Sequence, residues 1–123
     1  MRGYEAVRRG RVMLALGPAV YWHGEQDGRR FEMGDVIRPG RCQMVVAVDD
    51  SVRRAVWQKF DVRAEEAVFY GRGSVELARV PVGDGPSACA MNVEGPYVRM
   101  EVLGSCMGRK CAVAISAPVY VEG

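Results

Sequence analysis

Threonine is absent from all 123 residues, although the chain reads as a succession of β-strands. Threonine is a favoured strand residue, so its absence marks a bias of the source and not a demand of the fold. Amides and lysine are scarce too: one asparagine (Asn92), three glutamines, and two lysines against fifteen arginines. Few thermolabile amides and many arginines fit a hot environment, although the lysine enrichment common in hyperthermophiles is missing. A single histidine, His23, excludes a three-histidine metal site and leaves one candidate base for a Ser-His-Asp triad. No Gly-x-Ser-x-Gly elbow is present. Gly71-Arg72-Gly73 lacks both the further glycines and the Lys-Ser/Thr of a phosphate-cradling loop. Carboxylate pairs such as Asp49-Asp50 and Glu65-Glu66 are adjacent in sequence and read as solvated or helix-capping positions. These absences favour a non-enzymatic chain without a catalytic residue, metal or cofactor.

No stretch approaches the ~20 apolar residues that would span a bilayer. Arg2, Arg8, Arg9 and Arg11 precede the apolar residues 12–16 in a crude imitation of a leader, but Gly17-Pro18 breaks that run. The expectation is a soluble, intracellular protein with no membrane partner. Hydrophobic residues make up 49% and charged ones 26%, enough to bury a core without staples. The length suits one domain, 1–123. Net charge is +2, unevenly spread: residues 1–60 hold eleven basic and seven acidic side chains (+4), residues 61–123 six and eight (−2). That asymmetry permits an anionic partner for the N-terminal half.

Glycine and proline punctuate the chain at short intervals, with Val-rich, often alternating segments between them. That rhythm belongs to an antiparallel sandwich or barrel of short strands. The segments are 5–16, 19–23, 29–33, 42–49, 74–82, 88–93, 97–103, 110–116 and 119–122. Loops at 24–28 and 104–109 would close two hairpins. One short helix is expected over 51–60, where Val52, Ala55, Val56 and Phe60 recur at helical spacing; 62–70 fits either helix or strand. The run Gly34-Asp35-Val36-Ile37-Arg38-Pro39-Gly40 resembles the turns of cupin-like barrels, but no His-x-His follows. It reads as turn chemistry in a mainly β fold.

Four cysteines admit three readings. Cys106 and Cys111 flank a short loop that can place them opposite each other as a disulfide, leaving Cys42 and Cys89 as a second bridge. Free buried thiols are the plain alternative, since cysteine packs as a small hydrophobe. Zinc needs two closely spaced pairs, and only 106/111 qualifies. Disulfides inside cells are rare outside hyperthermophiles, which is where the amide-poor composition has weight.

Two functions from different classes follow. A short, strand-rich chain without catalytic groups suits a structural or assembly subunit, self-associating as a homodimer or docking on a protein partner. Its C-terminal strand, 119–122, could pair along an edge. In composition, though in no motif, the chain resembles small open reading frames of hyperthermophilic archaea and their viruses. The alternative is a small β-barrel that binds nucleic acid through Arg8, Arg9, Arg11, Arg29 and Arg30 with Tyr21 and Trp22. Guanidinium would meet phosphate and ring would meet base. Tyr21 and His23 share one face of their strand, Val20 and Trp22 the other, and either face could be the core.

Overall fold

The structure is a computed structural model that describes residues 13–15, 19–49, 61–83 and 85–122. Among the described residues eleven strands run in chain order: β1 Met13–Ala15, β2 Ala19–Gln26, β3 Arg29–Phe31, β4 Val36–Ile37, β5 Gly40–Asp49 and β6 Val62–Tyr70, then β7 Glu76–Pro81, β8 Ser87–Val93, β9 Tyr97–Cys106, β10 Arg109–Ser116 and β11 Val119–Val121. The smaller sheet has the order β3-β2-β5-β8, antiparallel throughout. In the larger one β9 pairs with β6, β10 and β11, while β7, β1 and β4 lie outside them. The two sheets pack as a sandwich. The helix expected over 51–60 lies outside the described residues, and 62–70 is a strand.

Alternation explains the layering. In β5 Cys42, Met44 and Val46 are buried while Arg41 and Gln43 are exposed; in β9 Val98, Met100 and Val102 are fully buried. Side chains of period two place one apolar face of each sheet against the other. Trp22 of β2 meets Phe69 of β6 edge-on, with ring centroids 5.6 Å apart, so the two sheets interlock through an aromatic pair. Trp22 therefore faces the core, and Tyr21, 62% exposed, faces solvent.

Both expected hairpins form, but with tighter turns than the glycine spacing suggests. β2 continues through Gly24 to Gln26, leaving Asp27-Gly28 as a two-residue turn with φ of 51° and 77°. β9 and β10 likewise close on Met107-Gly108, with φ of 52° and 78°. Positive φ at both central residues matches the right-handed strand twist, which is why two residues outcompete a longer loop. The segment read as turn chemistry contributes β4, which pairs parallel with β11.

At Ser116 the side chain replaces a ladder bond. Its buried Oγ accepts from the Met100 backbone N–H at 2.9 Å, just before Pro118 interrupts donation. Gly104 marks the closest strand approach: a Cβ there would lie 1.8 Å from the Arg63 carbonyl oxygen of β6. Backbone cannot yield as a side-chain tip can. Gly104→Ala is expected to cost about 3 kcal/mol or more, lowering Tm by about 10 °C; unchanged thermal unfolding by circular dichroism would contradict this packing.

Candidate arginine cleft and adjoining pocket

The Asp27-Gly28 turn sets Arg29 and Arg30 side by side on short β3, opposite Gln26 and Glu25. Phe31 follows and lies over Gly24 of β2, where a Cβ would come within 2.0 Å of its ring. Only glycine leaves room there for the ring. The chain then turns: the Glu32 N–H donates to Asp35 Oδ2 at 2.8 Å, and Asp35 N–H donates to the Glu32 carbonyl at 3.0 Å. After β4 comes Arg38, clamped to the hairpin by one amide side chain. Gln26 Nε2 donates to the Arg38 carbonyl at 2.7 Å, and the Arg38 N–H donates to Gln26 Oε1 at 3.2 Å. Two reciprocal bonds fix both the distance and the angle of approach.

These elements bound a cleft of about 560 Å³ lined by Arg29, Arg30 and Arg38 together with Phe31, Val36 and Ile37. Asp27 and Asp35 also line it. Arg30 pairs with Glu32 at 3.2 Å. No carboxylate pairs with Arg29 or Arg38 among the described residues, so two fixed cations face solvent there. Arg41, exposed on β5, lies with Asp27 and Gln26 along a neighbouring hollow.

A second cleft of about 370 Å³ opens beside the first, and Arg30 lines both. Its walls are mainly apolar, formed by Val20, Trp22, Met33, Val45 and Ala47, with Tyr21 and His23 among the remaining wall residues. Tyr21, Trp22, Arg29 and Arg30, singled out from sequence, are thus brought around two adjoining clefts. Trp22 differs from its expected role, because burial to 5% exposure makes it a wall and not a stacking surface. Arg8, Arg9 and Arg11 lie outside the described residues. Arg38 and Arg41 were missed: Arg38 belongs to the run read as a turn, and only the Gln26 clamp brings it across from Arg29.

The cysteines form no disulfide. Cys111 stands opposite Gly104 and Cys106 opposite Arg109, so the two are diagonal neighbours and not direct partners. Cys42 opposes Met91 and Cys89 opposes Met44, a second diagonal. Diagonal Cα atoms are about 7–8 Å apart, longer than the roughly 4.4–6.8 Å a disulfide spans. The directly opposed pair expected from the 106–111 spacing fails because the turn is only two residues long. Among the described residues no three His, Cys, Asp or Glu side chains come together to hold a metal ion. No helix there is long and apolar enough to cross a membrane. The C-terminal strand expected to offer an edge is paired on both sides, with β9 and β4.

No protein-family model, curated protein or solved structure matches this chain.

Burial pushes the Cys42 thiol up from 9.0 to about 11, with Cys89 beside it adding to the shift; burial raises Cys89 as well. A thiol whose pKa is raised in the folded state holds its proton more tightly there than in the unfolded chain. Stability is then fully present below pH 9 and falls as pH climbs towards about 11. The loss is on the order of 2 kcal/mol. Urea unfolding at pH 8 and pH 10.5 should show this decline, and Cys42→Ala should flatten it; equal slopes in both proteins would refute it.

Proposed function

We propose that the chain is a small β-sandwich module that binds single-stranded nucleic acid along the cleft bearing Arg29, Arg30 and Arg38. The observation that carries this reading is Arg30, which lines both an arginine-lined cleft and an apolar pocket beside the exposed Tyr21. Single strands are held by that combination of cations for phosphate and ring or apolar surface for base, without sequence readout. Arg29 and Arg38 support it further, since unpaired guanidiniums are free to take phosphate oxygens in bidentate fashion. Acidic Asp27 and Asp35 temper the potential, which suits moderate affinity in place of tight, strongly basic binding.

Fluorescence anisotropy with a labelled oligo(dT) tests the proposal. Replacing Arg29, Arg30 and Arg38 together by Gln keeps much of each stem while removing three charges. Affinity should fall at least about tenfold near 0.1 M salt. The slope of log K against log salt should flatten by about 2, from 0.7 per phosphate contact. Arg72→Gln, on an exposed turn between β6 and β7, should change little. Absence of binding by the unaltered protein at low salt would end the proposal.

A structural or assembly role is the competing function. Val36, Ile115 and Tyr120, exposed by 57%, 42% and 46%, share the outer face of the larger sheet and favour it. Light scattering after size exclusion should then give a dimer mass that Tyr120→Arg returns to that of a monomer; a monomer throughout the micromolar range would exclude it.

A further inference from the structure

We propose that Cys42, Met44, Cys89 and Met91 form a binding site for copper(I) inside the sandwich, independent of the arginine cleft. The register of β5 with β8 places Cys42 opposite Met91 and Met44 opposite Cys89. On each strand the two sulfur residues stand two positions apart, so all four side chains share the inner face of the smaller sheet. Two successive inward rungs are thus made of sulfur alone, each with one thiol and one thioether. Elsewhere the core is filled chiefly by valine, with Val62, Val98, Val102, Val113 and Val119 all at 2% exposure or less. Packing by itself does not call for sulfur at four adjoining positions; ligation does.

The donor set names the ion. Thiolate and thioether are soft ligands, and softness of that kind selects copper(I). Zinc takes thiolate, imidazole and carboxylate, so only the two thiols here suit it. Thioether sulfur is not among the His, Cys, Asp and Glu donors, no three of which gather among the described residues. The diagonal that defeats a Cys42–Cys89 disulfide suits a bridged pair. Two metal–sulfur bonds of about 2.3 Å, as for thiolate on zinc, set the sulfurs roughly 4.5 Å apart, against about 2 Å in a disulfide. Each methionine has three rotatable bonds and can swing its sulfur onto the ion. On binding, one thiol gives its proton to water, so Cu⁺ and the thiolate sit in the core as a neutral unit; the second thiol and both thioethers add no charge. Cys42, Met44 and Met91 are buried, whereas half-buried Cys89 stands on the outermost strand of its sheet, where the ion enters. Without metal the four pack as apolar side chains.

Anaerobic titration of the reduced 123-residue chain with copper(I), delivered as its acetonitrile complex against the chelator bicinchoninate, measures the affinity. One equivalent should be withheld from the chelator, and X-ray absorption should show sulfur alone around the copper. The double variant Met44→Leu/Met91→Leu conserves volume and keeps the core packed. Losing a group that merely supports a ligand costs at least about tenfold in metal affinity, and losing two ligands should cost no less. Cys106→Ala/Cys111→Ala removes the other thiol pair and should leave copper binding unchanged. Undiminished binding by the methionine variant, or its loss when Cys106 and Cys111 are replaced, would overturn the site. So would nitrogen or oxygen ligands in the copper spectrum of the unaltered chain, or its failure to withhold copper from the chelator.

Discussion

The fold depends on one interlock: Trp22 of the smaller sheet set edge-on against Phe69 of the larger. Two sheets that each expose an apolar face gain stability only when those faces meet, and large aromatic side chains dominate the area removed from water. Phe69, Met100 and Val98 on one side and Trp22, Met44 and Val46 on the other are all nearly or wholly buried. Trp22 gives up a hydrogen bond to take this place, since its Nε1 has no partner. An unmet buried donor costs about 1–3 kcal/mol. Burial of the large ring and the edge contact with Phe69 offset that loss.

From that interlock the positioning of the arginines follows. With Trp22 turned inward, period two turns Tyr21 and His23 outward, and the Asp27-Gly28 turn carries the register across to Arg29 and Arg30. Gln26 then ties the hairpin to the backbone at Arg38 through two bonds. None of these arginines is held by a strong ion pair. The single exposed pair with Glu32 contributes little to stability, as surface pairs generally do. Cations that stabilise nothing in the fold remain available to a ligand.

The cysteines follow the same logic of register. Each lies on the inner side of its sheet and packs against the core. Both pairs come near one another but on the diagonal, which leaves them as apolar filler. The raised pKa values of Cys42 and Cys89 fit that role, because burial disfavours thiolate and with it nucleophilic reactivity.

Much of the architecture was legible from sequence because it depends on local rules. Alternation in 42–49 and 97–103, and glycine or proline between segments, sufficed for the β class and most strands; 62–70 stayed open between helix and strand, and β4 lay within a run read as a turn. The Tyr21/Trp22 split was visible as two faces, but choosing which faced inward required the partner sheet that supplies Phe69. Turn lengths were misjudged because two-residue turns with positive φ arise from strand twist, which spacing of glycines does not encode. Disulfide geometry failed for the same reason, since shortening one turn slides Cys106 from opposite Cys111 to its diagonal. Arg38 was invisible as a site residue, twelve positions from the Gln26 that clamps it. Pattern along the chain decides which residues share a face; packing of distant segments decides which face is buried and which exposed charges share a cleft.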